Sequence, residues 1–262
     1  MGGVPQFVRR MRVRDGDDAH ARGEGGGDAG LGVFDHPAVG RRHGQQFRGA
    51  QKDIRRRFAA FNVRPTDYSR KEPAQPLNAE DYRAVVSHAK DQGVRVRGYL
   101  SMVFADPWDG PTPTRTAVDT GQRLLDLGCD ELSLGDTIGV ATAGEVTTLI
   151  VAYRDAGVGV ERLALHFHDT YGQALANVLA AMAAGVSVYD ASAGGIGGSP
   201  FARMAGGNLA SEDLVWMCRG IGIATGVDIE KLVAASRWLG AQLGRELPGH
   251  VARALNVPRS AG

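Results

Sequence analysis

His166 and His168 stand two residues apart at the end of the apolar run Leu163-Ala164-Leu165. On a β-strand the side-chain period is two, so both imidazoles face the same side of a sheet. Two imidazoles so placed suit a divalent cation. An isolated pair would equally serve as polar residues at a strand end, bonded to water or backbone. Residues further on converge on the metal reading. Gly194-Gly195-Ile196-Gly197-Gly198-Ser199-Pro200 carries enough glycine for its backbone to approach a ligand closely. A loop after a late strand is a natural lid, or alternatively a plain flexible connection. In Gly206-Gly207-Asn208-Leu209, Asn208 either caps the helix starting at Ser211-Glu212-Asp213 or offers its amide oxygen to a metal. Imidazoles with oxygen donors suit Mg²⁺, Mn²⁺ or Zn²⁺, and oxygen-rich completion favours the first two.

These residues need a frame, and from about Asn78 the sequence becomes periodic. Asn78 is placed to cap a helix through Tyr82, Val85, Val86 and Ala89, with Gly93 ending it. Residues 94–100 read as a strand. Helical spacing returns at Ala117, Val118, Leu124 and Leu125, and strand character at 131–136. A third helix carries Val146, Leu149, Ile150 and Tyr153, followed by the strand that ends at His168. A fourth helix over 172–184 precedes a strand over 186–190. Helix and strand alternate at roughly 25–35 residues, the size of a βα unit, which implies an α/β fold with a parallel sheet. Polar residues gather at the strand ends: Asp136, His166, His168, Asp190 and Ser192. A (β/α)8 TIM barrel keeps its chemistry on that rim; a doubly wound sheet is the other architecture with ligands at strand C-termini. Four strands are legible, so the barrel is expected to be incomplete at its N-terminal strands.

Residues 1–75 differ from 76–262. Gly23-Glu24-Gly25-Gly26-Gly27-Asp28-Ala29-Gly30 cannot support an element interior, and Arg41-Arg42-His43 and Arg55-Arg56-Arg57 have no apolar partner face. The segment reads as irregular or loosely docked, its composition resembling a truncated start or GC-rich DNA translated out of frame. The formal net charge of +1 gives no field for nucleic acid or an anionic membrane. Cys129 and Cys218 are the only cysteines, so no disulfide framework exists and a cytoplasmic, reducing setting is expected. No transmembrane run and no signal-peptide core stand out.

The stretch from His166 to Asn177, H-F-H-D-T-Y-G-Q-A-L-A-N, resembles the metal-binding segment of the hydroxymethylglutaryl-CoA lyase family. Leu134-Gly135-Asp136-Thr137-Ile138-Gly139 is similar to that family's preceding strand end. Residues 190–202 resemble its signature loop, 207–215 the stretch with its asparagine ligand, and Arg97-Gly98-Tyr99 an earlier barrel strand. The resemblance covers about residues 78–247. It implies a metallolyase TIM barrel that cleaves 3-hydroxy-3-methylglutaryl-CoA, or a related 3-hydroxyacyl-CoA, to acetyl-CoA and acetoacetate. The resemblance would also place it in leucine degradation and ketone-body metabolism. His166, His168 and Asn208 would hold Mg²⁺ or Mn²⁺. Asp136 and His168 would move protons or orient substrate, and Gly197, Gly198 and Arg97 would contact it. The resemblance also implies an acyl-CoA partner and a homodimer.

Three departures stand against it. The family's loop cysteine is Ser199 here, a far weaker acid than a thiol of pKa about 8.5. Arg14-Asp15-Gly16 matches the family's opening Arg-Asp-Gly in type, but stands too close to His166 and lacks the family's continuation, and so reads as chance. The family's early strands are not legible in 1–75. A catalytically impaired member, surviving as a binding or interaction module, is therefore the alternative to a lyase. A metal hydrolase with H-x-H in a barrel would need the pair on its first strand and later histidines, and only His250 follows.

Overall fold

The computed structural model describes residues 58–63, 79–107, 109–198 and 206–255, with side chains from residue 82 onward. Its sheet is built from β1 (Phe58–Val63), β2 (Arg95–Leu100), β5 (Glu131–Asp136), β6 (Leu163–Phe167) and β7 (Val188–Asp190), in that spatial order. Every neighbouring pair is parallel. Parallel neighbours need a crossover. The described crossovers are α2 (Thr114–Asp126) before β5, α3 (Ala143–Asp155) before β6 and α4 (Ala174–Ala183) before β7. Before β2 lies α1 (Ala79–Asp91), and a two-residue hairpin, β3 (Ala105–Asp106) with β4 (Gly110–Pro111), precedes α2. After the glycine-rich loop come α5 (Ser211–Gly220), α6 (Ile229–Leu243) and α7 (His250–Ala254). Among the described residues no helix is long and apolar enough to cross a membrane.

The pleat sorts the sheet into two faces. Val96, Leu100, Leu132, Leu134, Leu163, Leu165 and Phe167 are buried, and helices cover their side. Each such side chain contributes about 1.5–3 kcal/mol on removal from water. On the other face, register places Arg97 beside Glu131, Tyr99 beside Ser133, and His166 between Gly135 and Asp190. This second face curls. Strands two apart in a flat sheet lie about 9.5 Å from each other, yet the Ser133 hydroxyl on β5 donates to Asp190 on β7 at 2.8 Å. Arg97 on β2 reaches the same carboxylate at 2.9 Å. Such contacts require the sheet to bend towards the polar face, as the wall of a (β/α)8 barrel does.

The expected strands and helices are found within a residue or two at most ends. Two differences matter. The Phe58-Ala59-Ala60-Phe61-Asn62-Val63 run, inside the part read as irregular, is a strand paired with β2 over all six residues. The helical spacing of Leu232, Val233, Trp238, Leu239 and Leu243 predicts an amphipathic helix whose apolar face covers the barrel, and the helix there, α6, buries a narrower edge. Ile229, Val233 and Ser236 are its buried residues, while Trp238 is 64% and Leu243 49% exposed. It starts where Asp228 accepts the Lys231 N–H at 3.1 Å and stops at left-handed Gly244. Cys129 and Cys218 are buried free thiols, as the absence of a disulfide framework predicts.

Candidate metal and active site

The strand geometry brings His166 and His168 together, with ring centroids 5.3 Å apart. Asn208 reaches them because its segment runs back along the end of β6. Asp169 N donates to Gly207 O at 2.9 Å, Leu209 N donates to Phe167 O at 3.0 Å, and Asn208 pairs with His168. Only glycine fits at 207, where a Cβ would collide with the carbonyl oxygen of Gly195. The helix-cap reading of Asn208 is not what the structure shows: Ala210 occupies the N-cap of α5. Instead the Asn208 Nδ2 donates to Ile196 O at 2.9 Å. A carbonyl only accepts, so that contact decides which way the amide points. Its Oδ1 then faces His166 Nε2 at 3.0 Å.

This arrangement suits a cation. The Nδ1 side of His166 faces Asp190 Oδ2 at 3.7 Å, ion-pair distance and longer than a hydrogen bond. A neutral imidazole has one N–H. With that hydrogen turned to the Asp190 anion, the Nε2 lone pair lies beside the Asn208 oxygen lone pair, an arrangement that a cation would relieve; with the hydrogen on Nε2, the ring donates to Asn208 Oδ1 instead. Ligands at right angles on one ion, each about 2.1 Å away, are themselves about 3.0 Å apart. His168 is buried, and among the described residues its Nδ1 has no hydrogen-bond partner. Burial, then the neighbouring His166, pushes its pKa down to about 4. The ring is therefore neutral at pH 7 and has a lone pair to give. Among the described residues no group of three or more His, Cys, Asp or Glu side chains forms a metal cage. The donor set is two imidazoles and an amide, which suits a divalent cation and leaves positions for further oxygen donors.

Beneath the histidines lies a charged floor. Arg97 donates to Asp190 Oδ1 at 2.9 Å, to Glu131 Oε1 at 3.1 Å and to the Tyr99 hydroxyl at 3.3 Å. Burial opposes its charge, but Asp190, Tyr99 and Glu131 keep the guanidinium firmly protonated. Burial likewise works against the Asp190 carboxylate, while His166, Arg97 and Ser133 hold its pKa below the usual range. Arg97, expected to contact substrate, is thus engaged within the protein. Asp136, expected to act on substrate, lies in register with Phe167, on the pleat face opposite the imidazoles. Its oxygens accept the N–H groups of Val140 and Ala141, each at 3.0 Å. Burial pushes its pKa up to about 6 against the pull of those bonds. The structure does not bring its carboxylate to the two imidazoles; the carboxylate holds the loop leading into α3.

The glycine-rich loop is less mobile at its root than its composition suggests. Ala193–Gly195 forms a 3-10 turn, with Gly194 and Gly195 buried and left-handed. Glu212 Oε2 accepts the Gly194 N–H at 2.9 Å, and the Gly194 carbonyl accepts from Gly249 N at 3.1 Å. Gly197 and Gly198, expected at the substrate, are exposed. Ser199, Arg14 and Asp15 lie outside the described residues. His250 sits on α7, 72% exposed at its side chain, with Nδ1 3.0 Å from Asp213. It takes no part beside the H-x-H pair, which removes the observation a hydrolase would need.

Sequence reading did not single out Ser133 or the Ile196 carbonyl. The carbonyl also accepts from Ser192 Oγ at 2.7 Å and so ties the loop to Asn208. A signal for Ser133 existed: Glu131, Ser133 and Gly135 alternate with Leu132 and Leu134, marking one strand face as polar.

Residues 73–239 match the HMGL-like family model. The chain is 46% identical over 175 residues to the mitochondrial hydroxymethylglutaryl-CoA lyase of Arabidopsis thaliana, covering 67% of this chain and 37% of that one. It is 47% identical over 176 residues to the 3-hydroxy-3-isohexenylglutaryl-CoA/hydroxy-methylglutaryl-CoA lyase of Pseudomonas aeruginosa, covering 67% and 58%. The chain thus spans between about a third and three-fifths of the length of these curated relatives. Among solved structures, the hydroxymethylglutaryl-CoA lyase from Pseudomonas aeruginosa superposes with a TM-score of 0.74 at 40% identity, covering 80% of this chain and 71% of that one.

Proposed function

The chain belongs to the HMGL-like family, and we propose that it is a divalent-metal-dependent carbon–carbon lyase acting on 3-hydroxy-3-methylglutaryl-CoA or a related 3-hydroxyacyl-CoA. The observation that carries this is the convergence of His166, His168 and Asn208, with His166 Nε2 and Asn208 Oδ1 3.0 Å apart and the two imidazoles side by side. The relatives named above add the substrate class. The products would be acetyl-CoA and, from the parent substrate, acetoacetate, by retro-Claisen cleavage.

His166, His168 and Asn208 would hold Mg²⁺ or Mn²⁺. When bound, the ion supplies Lewis-acid polarisation of the substrate's 3-hydroxyl and carboxylate oxygens. Neutral His168 contributes a lone pair from a buried position, where competing water is excluded. The exposed Gly197 and Gly198 offer backbone for close approach to the acyl-CoA. Protonation of the departing enolate carbon falls to Ser199, in the place where the resembled family has cysteine. A hydroxyl is a poor proton donor at neutral pH, so turnover is expected to be slow. The homodimer and cytoplasmic setting belong to this proposal as expectations of the same resemblance.

The test incubates purified protein with 3-hydroxy-3-methylglutaryl-CoA, with and without Mn²⁺, and follows acetyl-CoA by mass spectrometry. Metal-dependent acetyl-CoA is expected, and more of it from Ser199→Cys. A folded protein that binds Mn²⁺ yet releases no acetyl-CoA, with or without that substitution, would sink the lyase assignment. It would favour the binding-module reading that Ser199 suggests.

A further inference from the structure

We propose that Asp190 is a positioning residue: its carboxylate sets the orientation and tautomer of His166, so that Nε2 presents a lone pair beside the Asn208 oxygen. The inference rests on the reading of His166 as a metal ligand.

Asp190 ends β7 in register with His166 on β6, so the two side chains share the polar face. The carboxylate is itself held from two directions. Arg97 Nη1 binds Oδ1 at 2.9 Å, and Ser133 Oγ binds Oδ2 at 2.8 Å. Oδ2 is the oxygen that faces His166 Nδ1 at 3.7 Å. Among the described residues, the other side of the ring meets an acceptor, Asn208 Oδ1, because the amide is locked by the Ile196 carbonyl.

His166 therefore has two oxygens competing for one N–H. A proton on Nε2 would satisfy the amide oxygen but turn the Nδ1 lone pair towards an anion. A proton on Nδ1 faces that anion favourably and leaves Nε2 open to a metal. At 3.7 Å this is charge attraction rather than a hydrogen bond, and in the part-buried site the full charge of Asp190 outweighs the neutral amide oxygen. The partner of one ring nitrogen thus selects the role of the other. Arg97 and Ser133 act one step further out, since they keep Asp190 from turning away. Ligand geometry on β6 then depends on residues of β2, β5 and β7, which explains why a guanidinium and two carboxylates occupy the floor of the site.

The test uses the full chain. In metal-free, ¹⁵N-labelled protein at pH 8, long-range ¹H–¹⁵N spectra are expected to show His166 as the Nδ1–H tautomer. Asp190→Asn should move the ring towards the Nε2–H form and weaken Mn²⁺ binding tenfold or more, read as free Mn²⁺ by electron paramagnetic resonance. Ser133→Ala, which keeps the charge but releases Oδ2, should weaken binding a few-fold in the same direction. An unchanged tautomer in Asp190→Asn, or Mn²⁺ bound as tightly as by the parent, would overturn the proposal. A parent that binds no Mn²⁺ while its tautomer still follows Asp190 would instead sink the metal reading and leave the positioning role standing. Should Asp190→Asn not fold, Ser133→Ala decides on the same two measurements.

Discussion

At the residue scale, much of the site hangs on one backbone atom. The Ile196 carbonyl accepts from both Asn208 Nδ2 and Ser192 Oγ, and so turns the amide oxygen towards His166. Gly197, the next residue, has φ +95, and a Cβ there would stand 2.6 Å from Asn208 Nδ2. Gly197→Ala must therefore strain the backbone or push the amide aside. Mn²⁺ affinity measured by calorimetry should fall roughly tenfold, the scale of a lost supporting contact, while the far-ultraviolet circular dichroism stays that of the parent. Equal affinity in the two proteins would show that the amide orientation is not set from the loop. Asp136 teaches the opposite lesson. It ends a strand next to the site in sequence, yet the pleat turns it to the helix side, where its oxygens serve two backbone N–H groups.

Packing between elements decides whether the strands can present that face. The helices α2 and α3 meet at Gly121, where a Cβ would lie 2.8 Å from Tyr153 Cε1 and 2.9 Å from Leu132 Cδ1. Tyr153 is buried, and its hydroxyl donates to the Ala117 carbonyl of α2 at 2.7 Å. Alanine would improve the helix propensity of α2 by about 1 kcal/mol, but overpacking costs about 1–3 kcal/mol. The lost Tyr153 bond, leaving buried polar groups unpaired, adds about 1–3 kcal/mol more. Gly121→Ala is thus expected to destabilise by about 2–3 kcal/mol, read as a lower urea midpoint with an unchanged slope. A midpoint at or above the parent's would mean that the interface yields more easily than its contacts imply. The same interface was visible in the sequence as helical spacing at Ala117, Val118, Leu124 and Val146, Leu149, Ile150, Tyr153. Gly121 was not, because close approach leaves no mark on periodicity.

For the whole molecule, the proposed metal site draws on separated stretches of chain: His166 and His168 from β6 and its end, Asn208 from the segment before α5, and the supporting charges from β2, β5 and β7. An ion bound there is held only by the folded chain. Mn²⁺ at a hundred times its dissociation constant should add about 2.7 kcal/mol to stability, seen as a rise in Tm. His166→Ala should abolish the rise while leaving the metal-free Tm within a few degrees. A rise that survives that substitution would place the ion elsewhere.

Read alone, the sequence determined the order of helices and strands from residue 78 onward and the parallel sheet, because these follow from local periodicity and glycine punctuation; periodicity left a doubly wound sheet open, and the barrel came with the family's motifs. It also determined that two imidazoles share a face, since a spacing of two on a strand admits nothing else, and its motifs carried the family. It did not show β1, whose run of six residues sits in glycine- and arginine-rich surroundings that mask a short apolar segment. Tertiary structure alone decided which way Asn208 points, that Asp190 rather than Asp136 stands beside His166, and that Arg97 is tied into the floor. Those are contacts between strands that neighbour one another only through pairing register and sheet curl, and neither has a period along the chain.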